Sequence, residues 1–261
     1  MNFTHLHLHT EYSLLDGVSR IEPLIKKIKD SGMTACAITD HGVLFGAFDF
    51  IETAKANGIK PIIGCEVYIA ERTRFDKQAG IDNKRYHTTL LAKNKTGYHN
   101  LLKLTSLAQS EGFYYKPRVD KELLEKYSEG VIATTGCMGS PMNQALLSGN
   151  KKKAEDWIKF LNKNYDDVYI EIMRVDYEPQ KKLEKMQLEM AEKHNIPIIA
   201  TVDSHYIDPE DHRIQEIAWC ISDGTRLNDP KRRQYVAKDF WVKTPEEMVD
   251  LFKDLPEAVE N

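Results

Sequence analysis

The sequence has 261 residues, of which 41% are hydrophobic and 29% charged, with a formal net charge of −4. That length fits one large α/β domain or two small ones. The negative balance argues against a global attraction to nucleic acid, so any contact with DNA has to be local. Four scattered cysteines without a CxxC pair argue against a disulfide framework or a zinc ribbon. Because the sequence lacks a signal-peptide pattern and a transmembrane run, we expect a cytoplasmic protein with no membrane partner.

The N-terminus carries three histidines that alternate with leucines, His5-Leu6-His7-Leu8-His9. In an extended strand alternate side chains share one face, so such a strand has an imidazole face and a hydrocarbon face. Imidazole is the commonest neutral metal ligand in proteins. The alternative is a half-buried edge strand whose polar residues face water. The pattern favours a metal site, provided that other strands supply partners.

Seven short stretches rich in β-forming residues alternate with segments of helical periodicity, which predicts an α/β fold with a parallel sheet. The predicted strands are 4–8, 34–39, 60–70, 87–92, 131–135, 168–172 and 196–201. The predicted helices between them are 21–31, 47–57, 96–109, 121–127, 151–164 and 180–194. No linker long enough to separate two domains occurs, so we expect a single domain over residues 1–261. The end of the sequence begins a proline-initiated helix and stops, which we interpret as a cut inside a longer protein.

In a parallel α/β barrel, functional groups collect in the loops that follow the strands. These positions carry imidazoles, carboxylates and one thiol from five predicted strands: His7, His9, Asp16, His41, Glu66, Cys137, Asp203 and His205. Such a collection predicts a metal or an acid/base centre. Glu66 would be costly to bury unless it were paired or bound to a metal. Asp40 is either a loop cap or an acceptor that orients an imidazole.

One histidine does not fit a purely parallel arrangement. His87 opens its predicted strand, at the end of the barrel away from the other candidates. Either that strand runs antiparallel or His87 is an ordinary surface residue. The spacing of residues does not decide between these interpretations.

Four ordered motifs carry most of the candidates: His7-Leu8-His9-Thr10 with Ser13, Ile38-Thr39-Asp40-His41-Gly42, Gly64-Cys65-Glu66 and Asp203-Ser204-His205. Together they resemble the four motifs of the PHP (polymerase and histidinol phosphatase) superfamily. Four further segments, 12–17, 58–64, 87–94 and 112–118, are similar to the N-terminal PHP domain of bacterial replicative DNA polymerase III α subunits. The resemblance runs along the whole chain.

The resemblance implies a distorted (β/α)7 barrel, TIM-like in form, that binds three metal ions through nine ligands. The matching positions are His7, His9, Asp16, His41, Glu66, His87, Cys137, Asp203 and His205. By the same resemblance His5 does not bind. One ion would take His7, His9 and Asp203. A second would take His87 and Cys137 with Glu66 as a bridge, and the third Asp16, His41 and His205. Histidine-rich ligation with carboxylates and one thiol favours Zn²⁺, with Mn²⁺ and Fe²⁺ as alternatives.

A complete cluster of this kind predicts a metal-dependent phosphoesterase, and the resemblance narrows it to a 3′→5′ exonuclease on DNA. The expected partners are DNA, the remainder of the polymerase III α subunit and other replisome components. Polymerisation would not reside here, because the family's catalytic aspartates lie downstream. Lys116 and Arg118, beside Phe113, Tyr114 and Tyr115, are candidates for binding substrate phosphate, although packing is at least as good an interpretation of the aromatic side chains.

Two other functions remain open. In the first, the domain is a structural platform for the rest of the polymerase, and its metals stabilise the fold. In the second, the chain is a free-standing phosphatase that acts on histidinol phosphate or another small ester.

Overall fold

A curled sheet of seven strands forms the centre of the computed structural model, which describes residues 3–234 and 237–261. The strands are β1 (Ala35–Ile38), β2 (Lys60–Ala70), β3 (Arg85–Ala92), β4 (Arg118–Val119), β5 (Val131–Thr134), β6 (Asp167–Met173) and β7 (Ile198–Thr201). They are joined in the order β1-β2-β3-β5-β6-β7, and the short β4 pairs with β2. All four residues of β7 are buried, as expected for a strand covered on both faces.

Strand β3 runs antiparallel to both of its neighbours, β2 and β5, whereas the other paired strands are parallel. In this register His87 of β3 lies opposite Tyr68 of β2. The start of β3 therefore lies beside the end of β2. This answers the question of strand direction that the sequence left open for His87.

The histidine-rich N-terminal segment connects the two edges of the sheet. On one side the backbone N–H groups of Ala37 and Thr39 donate to the carbonyls of His5 and Leu8, both at 2.8 Å. On the other side Leu8 forms a parallel bridge with Ser204, which follows β7. The segment is extended but has only isolated bridges, so it is not the regular strand predicted over 4–8. Because it closes the curled sheet, the prediction of an α/β fold of the distorted (β/α)7 barrel type is confirmed.

Ten α-helices lie in the described residues. They are α1 (Ile21–Asp30), α2 (Ala47–Ala56), α3 (Lys95–Ser110), α4 (Lys121–Lys126), α5 (Pro141–Leu147), α6 (Lys151–Asn164), α7 (Glu178–His194), α8 (His212–Asp223), α9 (Pro245–Leu251) and α10 (Glu257–Glu260). A 3-10 turn (Pro209–Asp211) precedes α8. Along α1 the apolar side chains recur every three or four positions, so Leu24, Ile25 and Ile28 are all buried in the core.

Two elements were not predicted, β4 and α5. Strand β4 has only two residues, too few for a periodic pattern. Helix α5 has a local start signal, because the Ser140 side chain accepts a hydrogen bond from the backbone of Asn143 and Pro141 occupies the first turn. The predicted start of α9 is confirmed, with a capping box formed by Thr244 and Glu247. Among the described helices, none has the length and apolar character needed to cross a membrane.

Candidate metal centre

The carboxylate of Glu66, in the middle of β2, is surrounded by side chains from four other segments. It is almost fully buried, at 1% exposure. Its Oε1 lies 3.2 Å from Cys137 Sγ, 3.3 Å from His87 Nδ1 and 3.6 Å from His7 Nε2. Its Oε2 lies 2.6 Å from His41 Nδ1 and 3.5 Å from His9 Nε2. A single carboxylate thus contacts candidates from both proposed halves of the cluster, which is the geometry expected of a bridging ligand.

Asp203 forms a second point of convergence on the loop after β7. Its Oδ1 lies 3.0 Å from His9 Nε2, 3.3 Å from His7 Nε2 and 3.6 Å from His205 Nδ1. The backbone of Asp203 has φ of +58°, a left-handed conformation that costs energy for a side chain other than glycine. This conformation lets Asp203 and His205, only two residues apart, both reach the cluster.

Asp16 completes the third side of the site. Its Oδ2 lies 3.2 Å from His41 Nε2, while its Oδ1 accepts a hydrogen bond of 2.5 Å from the indole of Trp219 in α8. The ring of His9 lies 4.1 Å from that of His41 and 4.3 Å from that of His205, measured between centroids. The structure therefore brings all nine predicted positions to one place.

Several buried polar atoms in this cluster have no hydrogen-bond partner among the described residues: His7 Nε2, His9 Nε2, His41 Nδ1, Glu66 Oε2 and Asp203 Oδ1. Leaving a buried donor or acceptor unpaired costs about 1–3 kcal/mol each. Candidate ligand atoms form three groups, each within 4.8 Å: His7, His9 and Glu66; His9, His41 and His205; His41, Glu66 and His87. Imidazole nitrogens and carboxylate oxygens that are unpaired yet directed at a common point fit a divalent transition-metal ion.

The charge states of these groups suit metal binding. Burial alone would raise the pKa of Glu66, but the nearby imidazoles of His87 and His41 hold that pKa well below its usual range. Burial lowers the pKa of His9 to about 3. At neutral pH Glu66 is therefore anionic and His9 is neutral, and these are the forms in which the two side chains bind a metal.

Asp40 positions the imidazole of His9 through Ser13. The Ser13 hydroxyl donates to Asp40 Oδ1 at 2.7 Å and lies 3.0 Å from His9 Nδ1. Because the hydroxyl proton is directed at Asp40, Ser13 accepts the proton of His9 Nδ1, which leaves Nε2 free for a metal. Of the two roles considered for Asp40, the structure supports the orienting one.

The sequence did not identify Glu171, which performs the same task for His7. It lies in β6, fully buried, with Oε2 2.9 Å from His7 Nδ1 and Oε1 accepting a hydrogen bond of 2.5 Å from the Thr134 hydroxyl. The only local signal was a glutamate between two isoleucines, Ile170 and Ile172, in an apolar strand. Trp219 was also missed, because its partner Asp16 is 203 residues away in sequence.

The three histidines of the opening run separate as the resemblance implied. His5 is buried away from the cluster and its Nε2 lies 2.8 Å from the carbonyl oxygen of Lys243. His7 and His9 face the cluster. The assignment of the nine residues as metal ligands stays a prediction, although their positions agree with it.

The structure corrects the prediction that Arg118 binds substrate phosphate. Arg118 is fully buried, and its guanidinium donates hydrogen bonds of 2.9–3.1 Å to the backbone carbonyls of Gly112, Asp82, Arg74 and Asp76. Its donors are therefore occupied by the loops around it. Lys116, by contrast, is exposed, with Nζ 5.7 Å from the centroid of the Tyr68 ring, so its role stays a prediction.

A family model for the PHP domain matches residues 5–175. The chain belongs to the PHP domain family. The matched range includes seven of the nine candidate residues, and only Asp203 and His205 follow it. The PHP resemblance read from the four motifs is thereby confirmed.

Curated relatives extend the similarity over nearly the whole chain. The DNA polymerase III subunit alpha of Borreliella burgdorferi is 44% identical and covers 99% of this chain. The subunits of Helicobacter pylori strain 26695 and Thermus aquaticus are each 43% identical and also cover 99%. The chain spans only 21–23% of the length of these three relatives. The predicted resemblance to the PHP domain of polymerase III α subunits is confirmed.

Solved structures support the fold. A predicted metal-dependent phosphoesterase of Bifidobacterium adolescentis superposes with a TM-score of 0.51 at 14% identity, covering 95% of this chain and 96% of its own. An amidohydrolase of Chromobacterium violaceum, with sulfate and no metal bound, gives the same TM-score and identity over 77% of this chain and 87% of its own. At such low identity these similarities indicate a shared fold.

Proposed function

We propose that this chain is a multinuclear metal-dependent phosphoesterase domain that acts as a 3′→5′ exonuclease on DNA. The observation that carries the proposal is the group of buried, unpaired ligand atoms from His7, His9, His41, Glu66 and Asp203. A protein that buries these atoms without partners gains stability from an ion that binds all of them. Relatives named as DNA polymerase III subunit alpha support DNA as the substrate.

The proposed ligands are the nine converging residues, His7, His9, Asp16, His41, Glu66, His87, Cys137, Asp203 and His205. Up to three divalent ions would bind, and the thiol and imidazoles favour Zn²⁺ over Mn²⁺ or Fe²⁺. When bound, such ions lower the pKa of a coordinated water and stabilise negative charge on phosphate oxygens.

The remaining tasks belong to the chain's own residues. Ser13 and Glu171 fix the His9 and His7 rings by accepting from Nδ1, so both present Nε2 to the site. The site opens to solvent beside His87 and Asp16, whose side chains are 26% and 28% exposed, whereas His7 and His9 are fully buried. A substrate phosphate would enter from the His87 and Asp16 side.

We further propose that the chain is one domain, the N-terminal part of a cytoplasmic polymerase III α subunit. Its partners would then be DNA, the remainder of that subunit and other replisome components. The support is the near-complete coverage of the chain by three polymerase relatives and the single curled sheet that contributes to the site.

The test combines metal analysis with a nuclease assay. Purified protein is assayed for bound Zn, Mn and Fe, and for degradation of single-stranded DNA labelled at the 5′ end, which reports 3′→5′ cleavage as a ladder of shortened products. His9→Ala should abolish cleavage. His5→Gln, a change at a buried histidine outside the cluster, should retain it.

The outcomes separate the alternatives. Bound metal without cleavage, together with a lower melting temperature after chelation, would overturn the exonuclease proposal in favour of a structural platform. Turnover of histidinol phosphate far more efficient than DNA cleavage would favour a free-standing phosphatase.

A further inference from the structure

Two cations beside the metal centre have no charged partner among the described residues. The Lys116 ammonium makes neither an ion pair nor a side-chain hydrogen bond there, and the Arg85 guanidinium donates only to the backbone carbonyl of Asn83, at 3.0 Å. Nearby cations of the same loops are paired: Arg72 with Asp82 and Arg74 with Asp120. The free charges are therefore confined to Arg85 and Lys116.

Both cations lie against the same aromatic ring. Arg85 Cζ and Lys116 Nζ are each 5.7 Å from the centroid of the Tyr68 ring. That ring packs in turn on two of the proposed ligands, 4.9 Å from the His87 ring and 5.7 Å from the His41 ring. Tyr68 thus separates the free cations from the metal centre by a single side chain.

The strand register explains this arrangement. Side chains two residues apart on a strand share one face, so Arg85 and His87 of β3 point the same way, as do Glu66 and Tyr68 of β2. His87 lies directly opposite Tyr68. One face of this strand pair therefore presents the metal-centre residues and, farther along, the partly exposed Arg85.

A tight loop brings Lys116 to the same place. Tyr115 adopts φ of +60°, and the backbone N–H of Tyr114 donates to the carbonyl of Lys116 at 3.1 Å. Pro117 and Tyr68 both pack against Gly42, where an added Cβ would lie 2.9 Å from Pro117 Cγ and 3.0 Å from Tyr68 Cδ2. The loop is therefore held against the Tyr68 ring, with the Lys116 side chain exposed to solvent.

We infer that Arg85 and Lys116, above the Tyr68 ring, bind a backbone phosphate of single-stranded DNA next to the phosphate held at the metal centre. This inference rests on the proposed function. Unpaired cations near a site that opens to solvent attract a polyanion, and in a chain of net charge −4 such attraction has to be local. A strand bound there would pass the exposed ring of Tyr115, which is 66% exposed and offers a surface on which a base can stack.

The experiment measures DNA affinity apart from cleavage. Binding of fluorescein-labelled oligothymidylate with phosphorothioate linkages is followed by anisotropy, in Mn²⁺, over a series of salt concentrations. Arg85→Gln and Lys116→Gln should each weaken binding and reduce the salt slope of log K by about 0.7 for a lost contact to a single strand. Arg85→Lys, which keeps the charge, should retain the parent slope.

The matched control is Lys126→Gln. Lys126 lies 5.4 Å from the ring of Tyr127, so it repeats the lysine-over-tyrosine geometry, but at the C-terminal end of α4, before β5 begins. The site residues lie near the opposite end of the parallel strands. This variant should bind DNA with the parent affinity and slope.

A second substrate separates this inference from the proposed function. Bis(p-nitrophenyl) phosphate has a single phosphodiester and no neighbouring phosphate, so its hydrolysis should be unchanged in Arg85→Gln and Lys116→Gln. Unchanged DNA affinity in the double variant of an enzyme that cleaves DNA would overturn the inference alone, as would an equal loss in Lys126→Gln. Weaker DNA binding by the variants of a protein that hydrolyses neither substrate would overturn the proposed function and support the inference.

Discussion

The carboxylate of Glu171 offers a sharp test of the metal centre, because it touches a proposed ligand without reaching the site itself. It holds His7 Nδ1 at 2.9 Å and also accepts from the hydroxyl of Thr134. Outer carboxylates that hold a ligating histidine in this way are worth about 10- to 100-fold in metal affinity. Glu171→Gln keeps the size of the side chain and one acceptor oxygen but removes the charge.

We expect Glu171→Gln to weaken metal binding about tenfold, or about 1.4 kcal/mol, because the amide still accepts from Nδ1. Glu171→Ala also leaves the buried His7 Nδ1 and the Thr134 hydroxyl unpaired. It should therefore lie near the upper end, about 100-fold or about 2.7 kcal/mol.

The effect should depend on pH in a defined direction. Burial opposes protonation of His7, but the charges of Glu171 and Asp203 raise its pKa well above 6.5 in the metal-free protein. Metal has to displace that proton from the parent protein, and removal of the Glu171 charge lowers this cost. The ratio of parent to variant affinity should therefore grow as the pH rises through the raised pKa of His7.

The measurement is a chelator-competition titration with Mn²⁺ at two pH values, one near 6.5 and one well above it. Glu184→Gln is the matched control, since Glu184 loses the same charge but pairs with Arg174 on another side of the molecule. Equal metal affinities of the two variants would refute the reasoning that Glu171 positions His7.

Three further predictions use other parts of the site. His9→Ala should remove metal-dependent cleavage while His5→Gln keeps it, measured per folded molecule, and equal losses would show that the histidine run is divided wrongly. Trp219→Phe removes the indole donor to Asp16 and should weaken metal binding by about 1.5–3 kcal/mol, the range for a hydrogen bond to a charged group; isothermal titration with parent affinity would contradict it. Burial lowers the pKa of His5 from 6.5 to about 4, so the unfolded chain binds a proton in this window that the folded chain does not. The metal-free protein should therefore lose about 2–3 kcal/mol through His5 as pH falls from 6.5 to 4.5, and His5→Gln should show a shallower loss in urea unfolding.

The positions of most candidate ligands could be predicted because they follow from strand periodicity and strand ends. His7 and His9 share a face since they are two residues apart, and Asp203 and His205 follow β7 at the same end. The direction of β3 could not be predicted in this way. An alternating pattern is the same in both directions, so only pairing with β2 shows which end of His87's strand meets the site.

The two charged residues that were misjudged or missed, Arg118 and Glu171, share a physical cause. Their partners are distant in sequence or are backbone groups, and backbone carbonyls have no signature in an amino-acid pattern. Arg118 looks like a phosphate ligand by residue type, yet it is spent on four carbonyls from segments 74–82 and 112. Glu171 looks like an anomaly in an apolar strand until His7, 164 residues away, is placed beside it.

The burial of Arg118 also gives it a role that the sequence assigned only to its neighbours. Its guanidinium ties the loop before β3 to the loop before β4, and these two loops carry Arg85 and Lys116. A buried guanidinium with all its donors occupied holds backbone rigidly, because breaking any of the bonds leaves a buried carbonyl unpaired. The residue chosen from the sequence as a contact to phosphate is thus better understood as the support that fixes the spacing of the two cations able to make that contact.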